Sequence, residues 1–506
     1  MVARVQTVAF LGIEAVPVDV QAHIAPGLPA FIIVGLPDKA VKEAGERVRA
    51  ALTASGLSLP PRRITVNLAP ADLPKEGSHF DLPIALALMA AIGAIPGDAL
   101  SRHLALGELG LDGGLAPVNG VLPAAIAAHG RDLGIVCPVA SGPEAAWAAE
   151  DIDIVAVESL LALVNHIGGY QLAPRPVARR QALPSGLPDL SEIRGQEVAR
   201  RALEVAAAGG HNLLFVGPPG AGKSMLAQRM PSILPPLNPR ELLDVSMIAS
   251  IAGQLADGAL SDRRPFRAPH HSASMAALVG GGLRVRPGEV SLAHNGVLFL
   301  DELPEFAPGV LDSLRQPLES GDTVIARANT RVTFPARFQL IAAMNPCKCG
   351  MAGTPGHTCR RGDACAADYQ ARISGPFLDR IDIRVDVPAV SAVDMIAPTR
   401  AEPSSTVAAR VKAARDRQRE RYEALGAANV HTNAAAGAAL IENVAKPDRE
   451  SQDLLIQAAE RFRLSARAYH RVLKVARTLA DLAGADAVGR AHVAEALSYR
   501  LTFAQS

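Results

Sequence analysis

The chain has 506 residues, 49% of them apolar and 20% charged, a balance that excludes a disordered or fibrous protein and suits one that buries large cores. Its length corresponds to about three domains. A formal net charge of +1 excludes a whole-chain pull on nucleic acid or membrane, so any polyanion site must come from local clusters of Arg and Lys.

In chain order, residues 1–168 mix alternating strands, such as Ala30–Val34 and residues 63–68, with Ala-rich helices. The longest uncharged apolar run, residues 82–96, is shorter than the roughly 20 residues that span a bilayer and reads as a core helix. At the N-terminus Gln6, Glu14 and Asp19 interrupt the apolar stretch, so no secretion signal is expected. A cytoplasmic location without a membrane partner follows as the expectation. Residues 169–190, rich in Pro and Gly, read as a linker. From 191 to 387 strands alternate with helices, as in an α/β nucleotide-binding domain. Residues 388–506 read as helical: 407–422 is laced with Arg, and 464–483 repeats apolar residues at helix spacing.

The most specific feature of the chain is Gly217-Pro218-Pro219-Gly220-Ala221-Gly222-Lys223-Ser224, a phosphate loop GxxxxGK[ST]. It lies between a predicted strand, residues 212–216, and a helix beginning at Met225. Glycines let backbone N–H groups close around phosphates, Lys223 reaches the β and γ oxygens, and Ser224 offers its hydroxyl to Mg²⁺. Downstream, Val297-Leu298-Phe299-Leu300-Asp301-Glu302 is an apolar strand ending in two carboxylates. Asp301 would hold Mg²⁺ and Glu302 would orient and deprotonate the attacking water. Such a run alone is commonly just a strand meeting a turn; behind a phosphate loop it completes an ATPase.

Four of the five cysteines, Cys347, Cys349, Cys359 and Cys365, crowd into one loop, and thiols so placed in a reducing compartment suggest metal rather than disulfides. Four thiolates would surround a structural Zn²⁺, with His357 as a substitute ligand. Reduced, unliganded thiols are the alternative. Cys137 reads as a small core residue.

Further blocks carry a wider resemblance: Phe266-Arg267-Ala268-Pro269-His270-His271, residues 287–306, Ala343-Met344-Asn345-Pro346-Cys347 and Leu464-Ser465-Ala466-Arg467-Ala468-Tyr469-His470-Arg471. Through them the chain resembles the ComM/YifB family of magnesium-chelatase-like AAA+ ATPases over nearly its full length. The resemblance implies an α/β AAA+ core (191–387) with a helix-2 insert and a hairpin, followed by a C-terminal helical lid (388–506). It also implies a ring, expected to be a homohexamer, and branch migration of DNA during natural transformation. Asn345 occupies the sensor 1 position, Arg467 the sensor 2 position and Arg380 the arginine-finger stretch, with Arg372 as rival finger. A finger of this kind is worth roughly 10³- to 10⁵-fold in rate in related NTPases. Residues 193–196, ending in Gln196, resemble the segment that packs on adenine.

Residues 322–334 read as the hairpin, whose turn would present Arg327, Asn329 and Arg331 to DNA phosphates in the pore. Arg263, Arg264, Arg267, His270, His271, Arg284 and Arg286 form a second basic cluster, suited either to DNA or to contacts between subunits.

The N-terminal region (1–168) resembles the α+β proteolytic domain of Lon, of the ribosomal S5 domain 2 type. Where that family carries its nucleophilic serine stands His79, with Ser78 one position off, and where it carries its lysine stands Leu122. A Ser-Lys dyad needs both groups, so peptidase activity is not expected. The resulting expectation is an ATP- and Mg²⁺-dependent DNA motor acting in recombination. A chelatase-type motor that remodels a protein partner for metal insertion is the alternative.

Overall fold

The computed structural model describes residues 2–181, 186–282, 285–327, 330–350, 352, 364–390 and 401–501. Two sheets organise the chain. The first has seven strands in the order β3-β4-β2-β1-β5-β8-β9. Here β1 is Val2–Leu11, β2 Glu14–Ala25, β3 Ala30–Val34, β4 Arg63–Ala69, β5 His103–Ala105, β8 Gly134–Pro138 and β9 Ile154–Val157; β6 (Glu108–Leu109) and β7 (Leu115–Ala116) form a separate small ribbon. β1 and β2 are a hairpin in register from Val2 opposite His23 to Leu11 opposite Glu14, and Gly12 supplies the positive φ (70°) that its two-residue turn needs. The helix Asp81–Ala91 is apolar all round and buries every residue from Asp81 to Met89, the pattern of a helix enclosed on all sides.

The expected linker is anchored rather than free. Its β10 (Arg179–Arg180) pairs in parallel with β12 (Ala259–Leu260), and Trp147 Nε1 donates to the Arg179 carbonyl at 3.2 Å. The first region also docks directly on the second. Glu144, only 7% exposed, accepts from the Leu122 N–H at 2.9 Å and from the Ser250 hydroxyl, while the Gly120 N–H donates to the Ser250 carbonyl at 3.2 Å.

The second sheet is parallel throughout, in the order β13-β14-β17-β11-β18: Phe266–Arg267, Val297–Leu300, Gln339–Met344, Leu213–Val216 and Ile383–Asp386. β14, β17 and β11 are buried on both faces and read as unbroken apolar runs, as parallel strands covered by helices do. The hairpin β15 (Asp322–Arg327) and β16 (Thr330–Pro335) stands outside this sheet.

The helical region contains Ser404–Ala424, Ala438–Ala445, Arg449–Arg461, Ala466–Ala483 and Arg490–Leu501. Much of its polar lacing closes the end of the helix Glu197–Gly209, whose last carbonyls lack partners within the helix. Arg415 Nε donates to the Ala207 carbonyl (2.8 Å), Gln418 Nε2 to Ala208 (3.1 Å) and Gln339 Nε2 to Ala206 (2.9 Å). Arg415 and Gln418 thereby fasten the helix Ser404–Ala424 onto the α/β core, whereas Gln339 reaches up from β17.

Candidate functional site: a phosphate loop at the strand ends

In a parallel sheet, ligand groups gather beyond the carboxyl ends of the strands. The phosphate loop follows β11, Asn345 follows β17 and Asp301 follows β14, three adjacent strands. Lys223 is 8% exposed, and its Nζ donates to the carbonyls of Gly217 (2.7 Å) and Pro218 (2.9 Å) and to Asn345 Oδ1 (3.1 Å). Burial lowers its pKa from the ordinary lysine value, and the nearby Asp301 and Glu302 carboxylates oppose that shift. The Ser224 hydroxyl donates to Asp301 Oδ2. Two hard oxygens side by side, one of them a carboxylate, are the donor type that Mg²⁺ takes, so these residues fit that ion.

The loop glycines serve two purposes. Gly220 and Gly222 hold φ of 77° and 91° with nothing within 4 Å of an added Cβ, so they are needed for backbone conformation. At Gly217 a Cβ would lie 2.1 Å from the Val387 carbonyl oxygen, so there the need is space. Ala221 is buried, whereas Met225 is exposed at the start of the helix Lys223–Gln228.

Glu302 follows Asp301 with φ 52°, and its N–H donates to Asp301 Oδ1 at 2.9 Å. A non-glycine residue in the left-handed region carries strain that clusters at functional sites. The Glu302 carboxylate meets His271 Nδ1 at 3.2 Å.

Gln196 lies in a crevice of about 670 Å³ lined also by Val198, Asp386, Pro388 and Tyr499. Its Nε2 donates to the carbonyls of Ala221 (3.2 Å) and Pro388 (2.6 Å), while its buried Oε1 has no partner among the described residues. Asp386, Pro388 and Tyr499 escape sequence reading because no local pattern marks them. They converge only where β18 meets the final helix.

Arg380 is held within its own chain: Nε donates to the Arg315 carbonyl (3.3 Å), Nη1 to the Pro376 carbonyl (2.5 Å), and Nη2 pairs with the Glu319 carboxylate. Its pKa falls below the ordinary arginine value through burial, which the positive charges of Arg315, Arg467 and Arg471 reinforce. Arg467 is exposed in the first turn of Ala466–Ala483. Arg372, the rival finger, pairs with Glu305 at 3.1 Å.

The hairpin forms as expected, with Arg327 opposite Thr330 and Arg331 exposed opposite Ala326. Asn329 and the Arg327 side chain lie outside the described residues, as do Arg284, His357 and Cys359. In the basic cluster, Arg264 pairs with Glu241 (2.9 Å) and Arg267 with Glu289 (2.6 and 2.8 Å), so these two arginines serve internal packing.

Cys347, Cys349 and Cys365 bring their thiols within 4.8 Å of one another. This loop touches the phosphate loop: an added Cβ at Gly350 would lie 2.6 Å from Pro219 Cδ. In the first region Ser78 donates to Glu108, Leu122 is buried, and His79 is a core residue, its Nε2 2.9 Å from the Val8 carbonyl oxygen and its ring against Phe80. Cys137 is buried, as expected of a core residue. No helix among the described residues is long and apolar enough to cross a membrane.

Comparison with known proteins agrees with this geometry. Residues 189–395 match the family model for magnesium chelatase, subunit ChlI, and 20–141 and 401–500 match two further models of the same subunit, the latter its C-terminal part. Competence protein ComM of Haemophilus influenzae is 44% identical over 98% of this chain and 97% of its own length. The chain belongs to the ComM/YifB family. The uncharacterized protein YifB of Escherichia coli is 42% identical over 98% of this chain and 96% of its own. The magnesium-chelatase 38 kDa subunit of Rhodobacter capsulatus is 28% identical over 34% of this chain and 55% of its own length. The mixed α/β architecture with its parallel sheet is consistent with a magnesium-chelatase-like AAA+ fold, and membership of that family suggests ATPase activity.

Proposed function

We propose that this protein is a cytoplasmic ATP-dependent DNA motor that unwinds duplex or moves a branch point, acting in recombination during natural transformation. The observation that carries the reading is the convergence of Lys223, Ser224, Asp301 and Asn345 in one contact network, in a domain that also extends the hairpin β15–β16. The domains on this reading are a Lon-protease-like domain without its catalytic dyad (1–168), a linker (169–190), the AAA+ core (191–387) and a helical lid (388–506).

The phosphate loop from Gly217 to Ser224, with Met225, takes the triphosphate. The crevice at Gln196 takes adenine, its unpartnered Oε1 suiting an exocyclic amine. Ser224 and Asp301 would hold Mg²⁺, which supplies charge neutralisation on the β and γ oxygens. Glu302 accepts a proton from water as the water oxygen bonds the γ phosphorus; the bond from that phosphorus to its bridging oxygen breaks and ADP leaves. Asn345 orients the γ-phosphate or the water. Arg380, freed from Glu319, acts on the neighbouring subunit's nucleotide, and Arg467 contacts the phosphates from the lid. Such a division of the site requires a ring, taken here as a homohexamer.

Arg327, Asn329 and Arg331 track DNA phosphates without reading bases. Cys347, Cys349, Cys359 and Cys365 would hold a structural Zn²⁺, which would tie their loop together through four thiolates.

The test is strand displacement and branch migration with purified protein. Lys223→Ala is expected to abolish hydrolysis and with it all DNA processing. Arg327→Ala is expected to keep hydrolysis and lose its coupling to DNA. Unaltered DNA processing by both variants would reject the motor. ATP hydrolysis that rises only with a protein partner would favour a chelatase-type activity.

A further inference from the structure

Three thiols meet beside the nucleotide site, two from one tight turn and one from a short helix. The Gly350 N–H donates to the Cys347 carbonyl at 2.9 Å and Gly350 takes a φ of 80°, so residues 347–350 close a turn that carries both Cys347 and Cys349. Their sulfurs lie 3.0 Å apart, and the Ala352 N–H donates to Cys347 Sγ at 3.3 Å. Cys365 arrives on the helix Ala364–Gln370. Cys347 is buried and Cys349 exposed, which sets an attackable thiol in front of a second one. The turn has little slack toward the nucleotide. It follows Asn345 and Pro346 directly; Asn345 Oδ1 accepts from Lys223, and Gln370 Nε2 donates to the Pro346 carbonyl at 3.2 Å. Gly350 presses on the phosphate loop so closely that a Cβ there would lie 2.6 Å from Pro219 Cδ.

We propose that Cys347 and Cys349 are a peroxide-modified pair whose disulfide turns ATP hydrolysis off. The inference rests on the reading of Lys223 and Asn345 as parts of the ATP site, and it does not need zinc. The Cys349 sulfur attacks one oxygen of hydrogen peroxide, the O–O bond breaks, the other oxygen leaves as water, and the sulfur is oxidised to a sulfenic acid. Cys347 Sγ then attacks that sulfur, the S–O bond breaks, and the hydroxyl leaves as a second water with the Cys347 proton. In all, two thiols lose two electrons and the peroxide gains them. Bonding draws the sulfurs together by about 1 Å. With Pro219 already in contact, the turn cannot tighten without moving Asn345 or the phosphate loop, and a misplacement of that size costs up to about 10²-fold in rate. A sulfur in a disulfide is no longer a thiolate ligand, so the oxidised pair and a zinc site exclude one another.

Steady-state ATP hydrolysis with Mg²⁺ by the full-length protein, before and after hydrogen peroxide, tests this, with the bond located by peptide mapping under non-reducing conditions. Oxidation should lower kcat at least about ten-fold. A Cys347–Cys349 disulfide should appear in step with that loss, and dithiothreitol should restore the rate. Cys349→Ser, compared only with itself, should lose the response to peroxide. If that variant does not fold, Cys349→Ala repeats the comparison, and the mapping and reversal on the parent need no variant. A Cys347–Cys349 bond formed with no change in rate overturns the proposal. So do absence of that bond after peroxide, a loss that dithiothreitol does not reverse, and an undiminished loss in the Cys349 variant. Hydrolysis by reduced Lys223→Ala at the parent's rate rejects the underlying reading of the ATP site instead, whatever the thiols do.

Discussion

Two histidines give the protein a pH dependence unrelated to catalysis. Burial holds both His79 and His294 down at about 4, with Arg337 adding to the effect at His294. In the unfolded chain each takes a proton near pH 6.5. The unfolded state therefore binds more protons between about pH 6.5 and 4, so stability is full above that window and falls as pH drops through it. At 1.36 kcal/mol per unit, each site contributes roughly 3 kcal/mol at most. Urea unfolding midpoints are expected to fall from pH 6.5 to pH 4, with a shallower fall in His79→Gln; equal slopes would remove His79 from the account.

Among the elements, the helix Ala466–Ala483 holds a charge cluster that propensity alone would disfavour. Asp481, 3% exposed, accepts from Arg477 Nε (3.1 Å), Arg421 Nη1 (3.1 Å) and Asn433 Nδ2 (2.9 Å), and Arg477 itself is 1% exposed. Removing one partner from such a set strands the others. Asp481→Ala is expected to cost about 3–5 kcal/mol, read as a lowered denaturation midpoint. The cysteine loop makes a different prediction, because Gly350 abuts Pro219. If zinc orders this loop, Cys347→Ser should lower zinc content measured by emission spectroscopy and weaken nucleotide affinity together. Loss of zinc with unchanged affinity would show that the loop does not buttress the phosphate site.

For the whole molecule, the decisive question is which nucleotide Arg380 serves. Within its own chain it is satisfied by Glu319 and two carbonyls. A finger acting between subunits predicts complementation: Lys223→Ala and Arg380→Ala proteins, each inactive alone, should regain part of the ATPase rate when mixed. Some interfaces would then pair an intact phosphate loop with an intact Arg380. No recovery on mixing, with co-assembly verified by light scattering, would place Arg380 in its own chain's chemistry.

The phosphate loop, the strand ending in Asp301 and Glu302, the hairpin and the buried helix at Asp81–Ala91 were all legible in the sequence, because each is set by local requirements: a positive φ, a run of apolar residues, a period. The interiors of the linker and of the arginine-laced helix were not. Arg179 and Arg180 pair with Ala259 and Leu260, and Arg415 and Gln418 close the helix Glu197–Gly209, through partners about 80 and 210 positions away in the chain. His271 beside Glu302, Gly350 against Pro219 and Glu144 against Ser250 belong to the same class. A side chain's hydrogen-bonding capacity is fixed by its type, but which partner fills it depends on which strand ends the sheet order brings together. Chemistry of the groups was thus set locally, and their pairing was decided by tertiary packing.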